Sequence, residues 1–240
     1  MTAKLRSILR QTPWSLALKA GLAGLAWLFL PGWIFLAYVL WLYFVPPFRA
    51  QVLILFFCLY LAAALRLPPT PVSALALAGL LYLILGTKDL LLIDRASALA
   101  VLTFGFILLL ALQFFYSLGH SSLANAWAGV ILLGLITFGL LLVFLRSLGA
   151  RSAGPFAVNV GVGLAAGLLA LFLAQLAWAL LFLPLNFLDQ TALWFLAAVA
   201  GTQLAADYCG ARLNRRKIFL NFAVFLVFGA VILASNQWSL

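Results

Sequence analysis

Few side chains in this sequence can do chemistry, and their spacing narrows what that chemistry could be. The four acids are all aspartate, they face fourteen Lys and Arg, and there is one histidine. Gln203 and Asp207 stand four residues apart, which puts them on one face of a helix. Inside a bilayer an ionisable residue is costly and marks a functional position by default. This face could therefore engage a substrate, a proton or a partner helix. The plainer alternative is an acid at the membrane surface, solvated or paired with Arg212, Arg215 or Arg216.

The string from Gly86 to Arg95 sets Lys88-Asp89 and Asp94-Arg95 around four apolar residues. One reading is a short interfacial element whose apolar middle dips into lipid or a partner. The other is a site where Asp89 and Asp94 hold a metal with phosphate, as lipid-modifying enzymes do. A hard cation wants several carboxylate ligands, and two aspartates beside bases make a poor set. His120 sits among Ser117, Ser121 and Ser122. A Ser/His hydrolase needs a base aimed at its nucleophile and a stabilised oxyanion, and a polar turn explains the string with less. One histidine supplies no ligand set for zinc, and no P-loop or dinucleotide fingerprint is present. No metal and no cofactor is expected.

Cys58 and Cys209 lie in or beside apolar runs with no CxxC spacing, and read as inert core thiols. Gln113, Asn125, Asn159, Gln175 and Asn221 are scattered amides. Asn159 and Gln175 share one apolar run but fall on opposite helix faces. Such amides read as links between helices rather than as a path.

These residues must be positioned by a chain that is 68% apolar and 8% charged, with a mean hydropathy of +1.24. A soluble domain carries about 25% charge, so the polar sequence here is too scarce to coat a globule in water. The fold class is all-α, a polytopic helical bundle integral to a membrane. Apolar runs at 96–118, 123–145, 156–183, 191–209 and 218–234 reach or approach the ~20 residues that cross a bilayer. Runs at 14–30, 33–45, 52–65 and 72–85 are shorter and punctuated by Pro31, Pro46, Pro47, Pro68, Pro69 and Pro71. Proline stops or kinks a helix, so the total is seven to nine helices, some of them partly re-entrant.

Residues 1–13 read as a basic amphipathic tail on the inner membrane surface, because Leu5, Ile8, Leu9 and Thr12 fall on one helical stripe. No small-residue cleavage site follows, so this start reads as retained. Residues 14–240 read as a single transmembrane domain. If nine runs cross, 13 of the 14 Lys and Arg lie on one side and only Arg66 on the other. That split puts the N-terminus in the cytoplasm and the C-terminus outside. A seven-span arrangement merely exchanges Arg49 and Arg66. Compact loops suggest the plasma (inner) membrane of a prokaryote.

The net charge of +10 would point to nucleic acid in a soluble protein. Between apolar runs it points to anionic inner-leaflet headgroups instead, met by Lys4, Arg6, Arg10, Arg212, Arg215, Arg216 and Lys217. No nucleic-acid partner is expected, and a membrane-protein partner is. Gly163 and Gly167 form a GxxxG pair, and Gly201 and Ala205 its small-xxx-small variant. Both patterns let helix backbones approach closely in lipid. The leading expectation is a non-catalytic scaffold or assembly component of a membrane complex. A small permease for a neutral or lipophilic substrate comes second, and a lipid-modifying enzyme using Asp89, Asp94 or Asp207 third.

Overall fold

The computed structural model describes residues 14–45, 53–88, 95–118, 123–149, 157–210 and 213–235. Among them are nine helices and no strand. They are α1 (Trp14–Phe29), α2 (Gly32–Phe44), α3 (Ile54–Arg66), α4 (Pro71–Lys88), α5 (Arg95–Leu118), α6 (Leu123–Gly149), α7 (Ala157–Leu180), α8 (Phe187–Cys209) and α9 (Arg215–Ser235). A helix suits this sequence because lipid offers no hydrogen bonds and a helix satisfies its own backbone. Five of the helices, α4, α5, α6, α7 and α9, are long and apolar enough to cross a membrane. α8 has 23 residues but carries Asp189, Gln190, Gln203 and Asp207, which leaves it less apolar than those five. At 16, 13 and 13 residues, α1, α2 and α3 extend only about 20–24 Å. The tail at 1–13 lies outside the described residues.

The run at 72–85 becomes the 18-residue α4, longer than the apolar stretch alone. Its start is a reciprocal cap. Thr70 Oγ1 accepts from the Ser73 amide at 3.3 Å, and Ser73 Oγ accepts from the Thr70 amide at 3.1 Å. Ser73 Oγ also donates to the Pro68 carbonyl at 2.7 Å. Pro71 occupies the first helical position, where a missing N–H costs nothing. At the other end Thr87 Oγ1 donates to the Leu83 carbonyl at 2.7 Å, and Lys88 closes the helix. The proline cluster therefore launches this helix rather than breaking it.

Contacts divide the chain between Leu102 and Thr103 into two compact units. In the first, α1 packs most extensively on α4. A Cβ added at Gly24 would lie 3.0 Å from the Ala74 carbonyl oxygen and 3.2 Å from the Ala78 Cβ. Small residues at i and i+4 on both helices (Ala20 and Gly24, Ala74 and Ala78) make that approach, which compensates in lipid for the absent hydrophobic drive. Trp27 Nε1 donates to the Ala64 carbonyl of α3 at 3.2 Å. Tyr43 of α2 stacks on Phe57 of α3 with centroids 3.8 Å apart.

In the second unit α6 and α7 form the most extensive pair. A Cβ at Gly134 would stand 3.2 Å from that of Ala174, and Trp127 and Trp178 lie 4.0 Å apart at one end. Trp194 of α8 is fully buried and its Nε1 donates to the Leu173 carbonyl of α7 at 2.7 Å. The turn between α7 and α8 is held by two side chains. Gln190 Nε2 donates to the Leu180 carbonyl at 3.0 Å, and Asn186 Oδ1 accepts from the Asp189 amide at 2.9 Å as the N-cap of α8.

Glycine substitutions separate tight from open positions. Gly24→Leu should lower the unfolding free energy by about 1–3 kcal/mol through overpacking against α4. Gly163→Leu, with nothing within 4 Å of the added Cβ, should change it by less than about 0.5 kcal/mol. Thermal unfolding of the two variants in detergent checks this, and equal losses would remove the α1–α4 approach from its place in the fold.

Candidate functional site

The Gln203–Asp207 face exists, and the start of α9 completes it. α8 ends at Cys209, where the Gly210 amide bonds the Ala206 carbonyl at 2.9 Å. The chain then turns back, and α9 begins with the Ile218 amide bonding the Asn214 carbonyl at 3.1 Å. This return brings Lys217 Nζ to 2.8 Å from Asp207 Oδ1. The side chains are 48% and 25% exposed, so the pair sits at the edge of the fold and not in its core. Helix geometry selects Lys217 over its neighbours, because Arg215 and Arg216 project 200° and 100° away around α9 by the roughly 100° turn per residue. Arg215 and Arg216, both named in the sequence reading, are therefore not the partner seen here. Arg212 lies outside the described residues.

Gln203 and Asp207 on α8 face Lys217 and Asn221 on α9, each pair at i, i+4 spacing. Together with Ala206 and Leu220 they line a groove of about 360 Å³. The ion pair sits at one end and the two amides extend it by one helical turn. Such a groove can exchange its internal ion pair for contacts to a charged or zwitterionic ligand.

The other expected residues are dispersed. Asp89, Asp94, His120, Lys4, Arg6 and Arg10 lie outside the described residues, as does the side chain of Asn159. Gly163 faces open space, and a Cβ on Gly167 would meet only Phe138 Cε2 at 3.8 Å. Among the described residues, neither glycine makes a close backbone contact. Gly201 does abut its neighbour: an added Cβ there would run into the Leu169 Cδ1 methyl of α7. Ala205 lines a separate apolar groove. Cys58 is exposed and Cys209 half-buried, both as free thiols, so the expectation of a core position fails for Cys58. Among the described residues no three His, Cys, Asp or Glu come together.

Two features escaped the sequence reading. Lys88 is 3% exposed; its ammonium donates to the Tyr43 carbonyl and lies 5.2 Å from the centroid of that ring. It holds the C-terminal end of α2, where a cation is favoured by the helix dipole. Nothing in its neighbours along the chain distinguishes it from a loop lysine. The second feature is a groove of about 560 Å³ between α6 and α7. Gly134, Gly167, Ala170 and Ala174 leave it room, with Trp127 and Trp178 among its walls. Small residues recurring between two tryptophans were the available signal.

Comparison of the chain with protein-family models, with curated proteins and with solved structures finds no match.

The half-exposed ion pair should contribute little to folding. Asp207→Asn should alter the unfolding free energy by less than about 1 kcal/mol, and the difference should vanish at about 1 M salt, where screening acts within ~3 Å. Paired unfolding curves at low and high salt check both statements.

Proposed function

We propose that the chain is a non-catalytic scaffold or assembly component of a membrane complex, and that α9 carries the contact to its partner. The observation behind this reading is the exposure of α9. Of its 21 residues only Gly229 is buried. In the other four long apolar helices 33–50% of the spanning window is buried, against 6% in α9. Phe219, Phe222, Phe225 and Phe228 follow one i, i+3 row along it, and such rows form the ridges that seat in a neighbouring helix's grooves. Aromatic rings bring large contact areas to such a seat. The partner is an apolar helix of another membrane protein.

The proposed setting is the plasma (inner) membrane of a prokaryote, with the N-terminus cytoplasmic and the C-terminus outside. The charge split supports that orientation, and the 18 residues of α4 support nine crossings over seven. A cysteine-free chain carrying one new cysteine tests this. Arg66→Cys should label from outside with an impermeant maleimide and Arg49→Cys should not; the reverse pattern would mean seven crossings.

A second reading, a small permease for a neutral or lipophilic substrate, draws on the polar groove between Gln203 and Asn221. The two readings diverge in one experiment. A photo-crosslinking residue at Phe222, followed by mild extraction and mass spectrometry, should yield a single stoichiometric protein adduct. A chain that emerges uncrosslinked to protein, carrying one enriched small molecule, would overturn the scaffold reading in favour of the permease.

A further inference from the structure

The geometry points to a seat for one anionic phospholipid where α7, α8 and α9 meet, in the leaflet on the Arg215 side. The seat lies across the α8–α9 seam from the polar groove and does not depend on the α9 partner proposed above. An apolar groove of about 370 Å³ opens there. Leu164 and Leu168 of α7, Leu204 and Tyr208 of α8, and Leu213 and Ile218 at the start of α9 wall it. The small side chains of Ala165 and Ala205 give it room. The walls on α7 and α8 each cover one helical turn, about 6 Å. The groove therefore takes the first carbons of an acyl chain just below its headgroup. Exposed Phe172 stands four residues beyond Leu168, on the same helix face, and continues the track toward the bilayer centre.

The charge at the mouth selects the headgroup. Arg215 stands three residues before Ile218 and so projects over this groove, and it is exposed; Arg216 projects to the opposite face of α9. The one carboxylate on the described part of this corner, Asp207, is engaged by Lys217. The Arg215 guanidinium thus leaves a positive charge above an apolar slot. A phosphate diester fits the planar donor fork of arginine, and the adjoining slot supplies what a free phosphate would not use. Tyr208 is exposed at the same level, an amphipathic ring of the kind that settles at headgroup depth.

The test uses the full chain in neutral detergent, titrated with phosphatidylglycerol or with phosphatidylcholine of the same chains, with bound lipid counted by native mass spectrometry. One phosphatidylglycerol should be retained per chain in preference to phosphatidylcholine. Arg215→Gln should weaken it about fivefold, while Arg216→Gln and Arg66→Gln, each equal in charge lost, should leave it unchanged. Ala165→Phe, which fills the slot and keeps the arginines, should also weaken it, with the unfolding midpoint confirming that the variant folds. Equal binding of the two lipids, indifference to Ala165→Phe, or the same loss on Arg66→Gln would overturn the seat. Complete displacement by glycerol 1-phosphate would also overturn it, since a headgroup alone would then suffice.

Discussion

Hydrocarbon provides no partner for a backbone amide or carbonyl, and each one left open costs several kcal/mol. The described part of the chain meets this constraint with helices, so the difficulty concentrates at helix ends. Many of the defined polar contacts serve those ends. Thr70 and Ser73 close the start of α4, Asn186 the start of α8, and Gln190 the end of α7. Lys88 bonds the last turn of α2 from another helix. Trp27 and Trp194 donate to carbonyls of adjacent helices. A sequence with so few polar side chains spends a large share of them on its own backbone.

With polar groups so occupied, packing has to come from shape. The α1–α4 contact relies on Gly24 against Ala74 and Ala78, and α6 against α7 on Gly134 beside Ala174. Where a small residue meets little across the interface it leaves room for a groove instead, as Gly167 does beside Trp178. A small residue therefore gives a close contact, room for a groove, or both, depending on what the opposite helix presents. This is why Gly163, in the best sequence motif for close approach, lies in open space.

The charged groups fall into two kinds. Lys88 is buried and its ammonium is used inside the first unit. Lys217 and Asp207 pair at an exposed edge, where water screens them and the pair is worth little. The adjacent arginines remain outward. The same corner thus holds a polar groove and an apolar one, on either side of the α8–α9 seam.

Composition and run length alone determined the membrane class and the all-helical fold, because transfer to lipid sums over residues and needs no knowledge of their neighbours. The i, i+4 spacing of Gln203 and Asp207 likewise fixed their common face. Tertiary structure decided the rest. It chose Lys217 rather than Arg215 or Arg216 for Asp207, since the rotation of α9 sets which of its side chains meets α8. It turned the proline-rich segment before Val72 into the start of an 18-residue helix, since Thr70 and Ser73 cap only when folded together. It also took Lys88 out of solvent and into a contact 45 residues away along the chain. Close approach, burial and pairing are properties of two elements at once, and one-dimensional spacing records only one of them.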